Sequence, residues 1–128
     1  MILQDKTVVV SGVGPGLGSE IARIVVRDGG NAVIGARNLE RLEGVAAELD
    51  PSGERVAACR LDITDAETCE AIAATAVERF GGIDAVVNVA AIDYLPGALM
   101  ESDLDSWVTG NQTNVVGTIQ LFRSIVPH

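Results

Sequence analysis

Short apolar segments alternate along the chain with longer segments whose apolar residues recur every three or four positions. The short segments predict buried strands, and the longer ones predict helices with one apolar face. In order they give a β-α-β-α-β-α-β-α pattern without a linker, repeat or low-complexity segment. The predicted strands occupy residues 7–10, 31–36, 55–61 and 85–87.

Each predicted helix has an apolar face, and two of them have a recognisable start. Thr64 and Glu67 predict a capping box before the third helix. Ser102 and Asp105 predict the start of the fourth. The residues predicted to share a face are Leu17, Ile21, Ile24 and Val25 in the first helix, Leu39, Leu42, Val45 and Leu49 in the second, Cys69, Ile72, Ala73, Ala76, Val77 and Phe80 in the third, and Val115, Ile119, Phe122 and Val126 in the fourth.

The alternation of strands and helices predicts a parallel sheet, because parallel strands need helical crossovers. Right-handed crossovers favour the strand order 3-2-1-4 with two helices on each face. We therefore predict an α/β fold with a doubly wound, Rossmann-like sheet in one domain, residues 1–128. Ligands of such sheets bind at the carboxyl ends of the strands, beside the point where the strand order reverses. Residues 11–18 and 88–91 would meet there.

The charge balance limits the partners of the protein. The formal net charge is −9, from 9 basic and 18 acidic residues. Nucleic acids and anionic membranes both require clustered Lys and Arg, so we expect neither as a partner. A phosphate-bearing cofactor stays compatible with this charge, because carboxylates beyond a Debye length of about 8 Å are screened.

The cysteines and the first residues indicate the compartment. Cys59 and Cys69 lack metal-ligand spacing and His128 is the single histidine, so we predict neither a metal site nor a disulfide scaffold. There is no run of 18 apolar residues, and residues 1–5 lack the features of a signal peptide. We expect a soluble, cytoplasmic protein.

A glycine-rich segment, residues 11–18, lies between the first strand and the first helix. Glycines there let backbone amides approach a pyrophosphate at the helix N-terminus. The spacing G-x-G-x-x-G fails because Leu17 stands at its last glycine, whereas Gly12, Gly16 and Gly18 fit G-x-x-x-G-x-G. The alternative is a plain strand-to-helix turn. The residues predicted to bind a dinucleotide here are Ser11, Gly12, Gly14, Gly16, Leu17 and Gly18.

This segment resembles the T-G-x-x-x-G-x-G loop of the short-chain dehydrogenase/reductase family, with Ser11 in place of threonine. Three later segments resemble that family's strand-3 aspartate segment, its N-N-A-G motif after strand 4 and its N-x-x-G motif, in the same order. These segments are Leu61-Asp62-Ile63-Thr64, Asn88-Val89-Ala90-Ala91 and Asn114-Val115-Val116-Gly117. Val89 and Ala91 depart from N-N-A-G, and the likeness extends over essentially all 128 residues.

The resemblance implies an NAD(P)-dependent oxidoreductase that transfers hydride between nicotinamide and an alcohol or ketone. It implies that Asp62, with Ile63, contacts adenine, that Asn88 and Ala90 lie at the cofactor, and that Asn114 is catalytic and helps hold a proton-relay water. It also implies that the full-length form is a homo-oligomer, formed through the helix bearing Asn114 and the next one, which these 128 residues do not include. From the residues alone, Asp62 can simply end a strand, Asn88 can satisfy backbone groups, and Asn114 can be a polar residue that perturbs a helix.

The choice between NAD and NADP depends on the end of the second strand, Gly35-Ala36-Arg37. NAD sites usually place an acidic side chain on the ribose about 20 residues after the glycine loop. Ala36 stands at that position, while Arg37 is able to grip a 2′-phosphate or stack on adenine. We therefore predict NADP in preference to NAD. The alternative for Arg37 is an exposed charge at the start of the second helix.

The family's catalytic tyrosine and lysine, spaced Y-x-x-x-K, do not occur in these 128 residues. Tyr94 is followed four positions later by Ala98, and Lys6 precedes the first strand. Asp93 and Tyr94 fall in the loop after strand 4, which is either a wall of the substrate pocket or an ordinary solvated loop.

We therefore expect the cofactor-binding fragment of a longer enzyme or an interrupted gene, inactive alone and weakly stable or prone to aggregate. The alternatives are a non-catalytic dinucleotide-binding or regulatory module, a product without function, or a scaffold that pairs through its last helix.

Overall fold

The computed structural model describes residues 1–93 and 97–128, which form four strands and five α-helices around one sheet. No helix among these residues is both long enough and apolar enough to cross a bilayer. The elements are β1 (Thr7–Ser11), α1 (Leu17–Arg27), β2 (Asn31–Ala36), α2 (Leu39–Leu49), β3 (Val56–Arg60), α3 (Ala66–Phe80), β4 (Ala85–Asn88), a 3₁₀ turn (Leu99–Glu101), α4 (Leu104–Asn111), a π-helical turn (Gln112–Gly117) and α5 (Thr118–Ile125).

The sheet is parallel throughout, with the order β3-β2-β1-β4, which confirms the predicted topology. Strand β1 lies between β2 and β4, so its last residue, Ser11, pairs with Gly35 on one side and Asn88 on the other. The loop after β1 therefore leaves the sheet beside the ends of both neighbouring strands.

Alternate residues of β1 belong to two separate cores, because successive side chains of a strand point to opposite faces. Val8 and Val10 pack against α1 and α2. Val9 packs on the other face against α3 and α5. Two helices cover each face of the sheet, as the alternating pattern predicts.

The buried face of α1 agrees with the predicted one only in part, because Val25 is buried and Ile21 packs against the core. The helix buries Gly18 and Ala22, while Leu17 is 65% exposed and Ile24 is 45% exposed. A Cβ on Gly18 would lie 2.6 Å from the Gly12 carbonyl oxygen. The expectation that Leu17 and Ile24 face the core is wrong, because small residues let the helix approach the loop and sheet more closely.

Two predicted helix starts are displaced by one residue. The carboxylate of Asp65, rather than Thr64, caps α3 and accepts a hydrogen bond from the Glu67 amide at 3.0 Å. Asp103, rather than Ser102, caps α4 in the same way. Both hydroxyls are already bonded within the preceding loops, so the neighbouring carboxylates take the capping role.

The last helical segment has two different faces. Its predicted apolar residues do share a face, but that face is exposed: Val115, Ile119, Phe122 and Val126. The face that packs on the sheet side carries Gly117, Leu121 and Ile125. A Cβ on Gly117 would lie 2.9 Å from Ile63 Cγ1, so glycine permits this close approach.

Candidate functional site

A cleft of about 940 Å³ opens at the carboxyl edge of the sheet, where the loops after all four strands meet. Its volume lies within the range of about 300–1,000 Å³ that is common for small-molecule sites. Six of the residues singled out from the sequence line it: Gly12, Gly14, Arg37, Asp62, Ile63 and Ala90. The fold thus brings segments that are distant in sequence to the predicted switch point.

The glycines of the loop after β1 have two distinct roles. Gly12 has a φ of +74°, and a Cβ on it would lie 2.4 Å from the Ala90 nitrogen. Gly18 is equally confined by the Gly12 backbone. A Cβ on Gly14 or Gly16 would meet no described atom within 4 Å. The first two glycines are therefore required by the fold, whereas the other two leave the loop surface open.

The open glycines lie at the N-terminus of α1. Gly16 is the N-cap residue of α1. Because glycine has no side chain, no side-chain capping bond is made to the first amides of the helix. Unbonded first-turn amides and the helix dipole favour an anionic group. The open space and the free amides together suit the pyrophosphate of a dinucleotide. Leu17, in the first turn, is largely exposed beside them.

Ser11 and Asn88 lie beneath the cleft rather than in its lining. Ser11 is fully buried, and its hydroxyl donates a hydrogen bond to Asn88 Oδ1. The Ser11 hydroxyl oxygen also accepts hydrogen bonds from the amides of Val89, at 3.2 Å, and Ala90, at 3.3 Å. These contacts fix the backbone of the loop after β4, which lines the cleft.

Asn114 lies within the π-helical turn and reaches the same loop. Its Oδ1 accepts a hydrogen bond from the Ile92 amide, and its Nδ2 donates one to the Ile92 carbonyl, each at 2.8 Å. Ile92 lines the cleft, whereas the Asn114 side chain does not. Isolated π turns recur at functional sites, since they re-aim side chains within a helix. Here the turn directs Asn114 onto the cleft wall.

Asp62 contributes a negative charge to the cleft. Its carboxylate accepts hydrogen bonds from the Thr64 hydroxyl at 2.6 Å and the Thr64 amide at 2.9 Å. These bonds, helped by the charges of Arg37 and Arg60, hold the pKa of Asp62 below its usual value although desolvation opposes them. The carboxylate is ionised at neutral pH and can only accept hydrogen bonds.

Basic residues also lie at or near the cleft. Arg37 and Arg41 line it, and Arg60 ends the neighbouring strand β3. Among residues 1–93 and 97–128, none of the ion pairs involves these three arginines. In a chain with a net charge of −9, a group of arginines without a carboxylate in direct contact is suited to an anion.

Sequence reasoning missed several residues of the site. Arg41, Thr109 and Thr113 line the cleft, and Thr118 bonds to both Asn88 and Asn114. Helical spacing gives a signal for one of them, because Thr118 follows Asn114 by four residues in the last helical segment. Arg41 lies in the first turn of α2, directly after the end of β2. Thr109 and Thr113 reach the cleft only through the path of α4 and the π turn, which the sequence does not reveal.

The predicted pocket wall after β4 is described only in part. Asp93 is exposed, and Tyr94 lies outside the described residues.

Comparison with known proteins agrees with this arrangement. A statistical model of the short chain dehydrogenase family matches residues 6–128. An uncharacterised oxidoreductase from Staphylococcus aureus strain USA300 is 32% identical over 126 residues, which make up 98% of this chain and 53% of that protein.

Two solved structures are similar over nearly the whole chain. The short-chain dehydrogenase/reductase from Brucella melitensis described as glucose/ribitol dehydrogenase superposes with a TM-score of 0.90 and 33% identity, covering 98% of this chain and 52% of that one. L-Sorbose reductase from Gluconobacter frateurii, solved with NADPH and L-sorbose, gives 0.86 and 28%, covering 98% and 48%. This chain therefore spans about half the length of the proteins it matches.

Proposed function

The chain belongs to the short-chain dehydrogenase/reductase family, and on that premise we propose that it forms the nicotinamide-dinucleotide-binding part of an oxidoreductase. The observation that carries the proposal is the open surface at Gly14 and Gly16, at the N-terminus of α1 and the edge of the cleft. The bound dinucleotide would supply or accept the hydride exchanged with an alcohol or ketone.

The residues of the chain have distinct proposed roles in binding. Free backbone amides at the N-terminus of α1 hold the pyrophosphate, and Asp62 with Ile63 lies against the adenosine end. Ala90, two residues after Asn88, lines the cleft from the loop after β4 and lies at the cofactor. Asn114 acts in the active site. Its two hydrogen bonds to the Ile92 backbone support that role, because they hold the loop after β4 that lines the cleft.

We propose NADP as the preferred cofactor. Arg37 and Arg41 line the cleft at the end of β2, where Ala36 offers no carboxylate to repel a 2′-phosphate. L-Sorbose reductase, a structural relative, was solved with NADPH. Both observations support NADP over NAD.

A substitution at Gly16 tests dinucleotide binding without disturbing the fold. Because a Cβ there meets no described protein atom within 4 Å, we expect Gly16→Ala to melt within about 3 °C of the unsubstituted protein. The new methyl group enters the proposed pyrophosphate space, so NADPH affinity measured by fluorescence titration should fall about tenfold or more.

Gly44→Ala is the matched control, because a Cβ on Gly44 also meets no described atom within 4 Å and Gly44 lies in α2 outside the cleft lining. Its NADPH affinity should equal that of the unsubstituted protein. Failure of the unsubstituted protein to bind either NADPH or NADH, or an unchanged affinity in Gly16→Ala, would refute the proposal.

We further propose that the protein acts as a homo-oligomer in a reducing compartment such as the cytoplasm. The exposed apolar face of α5, with Ile119 and Phe122, supports self-association, and both cysteines are free thiols. The net charge of −9 argues against nucleic-acid and anionic-membrane partners. A monomeric mass in sedimentation equilibrium at micromolar concentration would contradict the oligomer.

A further inference from the structure

The loop of residues 89–92 is held at both of its ends. At one end, the buried Ser11 hydroxyl accepts hydrogen bonds from the amides of Val89 and Ala90. At the other, the Asn114 side chain bonds both backbone groups of Ile92. Ala90 and Ile92 line the cleft, so the two anchors together set the shape of one cleft wall.

Thr118 connects these two anchors. Its Oγ1 accepts a hydrogen bond from Asn88 Nδ2 at 2.9 Å and donates one to the Asn114 carbonyl at 2.8 Å. Asn88 uses its other amide atom, Oδ1, to accept from Ser11. Among the described residues, a continuous path of hydrogen bonds therefore runs from Ser11 through Asn88 and Thr118 to Asn114.

The π-helical turn changes which carbonyl the backbone amide of Thr118 bonds to. In a regular α-helix the Thr118 amide would bond to the Asn114 carbonyl, four residues earlier. Here that amide donates to the Val115 carbonyl instead. The Thr118 hydroxyl takes the place of the backbone donor and keeps the Asn114 carbonyl bonded.

We propose that Thr118 is a positioning residue that couples the anchor at Ser11 and Asn88 to the anchor at Asn114. Its hydroxyl has one proton, which is committed to the Asn114 carbonyl, and one accepting site used by Asn88. Loss of the hydroxyl would leave Asn114 free to shift relative to β4, and the Ile92 end of the loop would loosen with it. These hydrogen bonds form without a bound cofactor. Only their consequence for the active site rests on the proposed function.

Hydrogen exchange of single amides, followed by NMR without nucleotide, tests the coupling directly. Thr118→Val removes the hydroxyl and keeps the shape of the side chain. We expect the Ile92 amide to exchange about three- to tenfold faster, the size of effect that one hydrogen bond gives, while amides in the centre of the sheet keep their rates. Thr118→Ser restores the hydroxyl and should bring Ile92 back within about twofold of the original rate.

Thr75→Val is the matched control, because the Thr75 hydroxyl makes the same bond to the carbonyl four residues earlier but lies in α3. It should leave Ile92 unchanged. If Thr118→Val does not fold, Asn88→Asp provides the test, since a carboxylate draws the Thr118 proton away from the Asn114 carbonyl and should also speed exchange at Ile92.

Equal exchange of Ile92 in Thr118→Val and Thr75→Val, or equal acceleration in Thr118→Val and Thr118→Ser, would overturn the inference. In the second case the methyl group and not the hydroxyl would hold the turn. NADPH titration of the same proteins is read separately. Absence of binding in the unsubstituted protein would count against the proposed function and leave the exchange result valid.

Discussion

Arg37 is the residue at which cofactor choice can be tested most directly. It lines the cleft at the end of β2 and takes part in none of the ion pairs of the described chain. Arg37→Glu would set a carboxylate against a 2′-phosphate. We expect NADPH affinity to fall about tenfold or more and NADH affinity to change less than about twofold, because only NADPH carries that phosphate. Fluorescence titration with each nucleotide measures both.

Arg123→Glu is the control for the overall change in charge. Arg123 is exposed on α5 and lies outside the cleft lining, so its reversal should affect both nucleotides equally and slightly. Equal weakening of NADPH and NADH by Arg37→Glu would remove the basis for an NADP preference.

Sequence patterns located Gly12 and Asp62, because each lies in a loop that follows a strand. Such loops have a known place in this kind of fold. The same patterns missed Thr118, because its role depends on a long-range contact with Asn88 beside the π turn. Helix periodicity alone contains no sign of such a turn.

At the scale of elements, the π-helical turn before α5 packs closely on the loop after β3 at Gly117. A Cβ there would lie 2.9 Å from Ile63 Cγ1 and 3.3 Å from the Ile63 carbonyl oxygen. Gly117→Ala should push α5 away from the loop after β3 and lower the free energy of unfolding by about 1–3 kcal/mol. Urea denaturation followed by circular dichroism measures the change.

Gly110→Ala separates this steric effect from helix propensity. Gly110 lies in α4, and a Cβ on it meets no described atom within 4 Å. Alanine should raise the free energy of unfolding by up to about 1 kcal/mol there. A stability of Gly117→Ala equal to or above that of the unsubstituted protein would show that the contact with Ile63 is not confining.

The same small residues explain where prediction failed at this scale. The period of apolar residues located the helices correctly, but the face assigned to α1 was wrong for Leu17 and Ile24. A prediction from periodicity places the large apolar residues at the core. A helix that lies close to a loop or a sheet instead needs small residues at the contact, as at Gly18, Ala22 and Gly117. The distance between a helix and its neighbours decides which face of the helix is buried, and that distance cannot be read from the sequence.

For the molecule as a whole, the strand order was predictable, because few strand orders satisfy the rules for connections in a parallel sheet. Alternating strands and helices require parallel strands, and right-handed crossovers then leave β3-β2-β1-β4 as the favoured order. The position of the cleft follows from that order. Its lining from α4 and the π turn does not, because these elements follow a long loop whose path no pattern specifies.

Cys69 reports on the integrity of the whole core. It is fully buried between α3 and the sheet, and burial, with lesser contributions from Asp65, Asp62 and Glu70, raises its pKa from the ordinary 9.0 to about 11. At pH 8 we expect iodoacetamide to modify the half-buried Cys59 first and Cys69 only as the core opens. Mass spectrometry with and without urea distinguishes the two sites.

The raised pKa also sets a pH dependence. The stabilisation from keeping the Cys69 thiol neutral is fully present below pH 9.0 and is lost as the pH rises toward 11, because the thiol of the unfolded chain ionises first.

In the labelling experiment, modification of Cys69 in the native protein as fast as that of Cys59 would mean that the core around α3 opens without global unfolding.

The contact between Gly12 and the loop after β4 restricts which sequences can adopt this fold. The atoms that a Cβ on Gly12 would meet are all main-chain: the nitrogen and Cα of Ala90, and the carbonyl carbon of Val89. No change of side chain at either position can therefore create room. A second-site suppressor of a Gly12 substitution would have to alter the path of the chain, by insertion or deletion, rather than its chemistry.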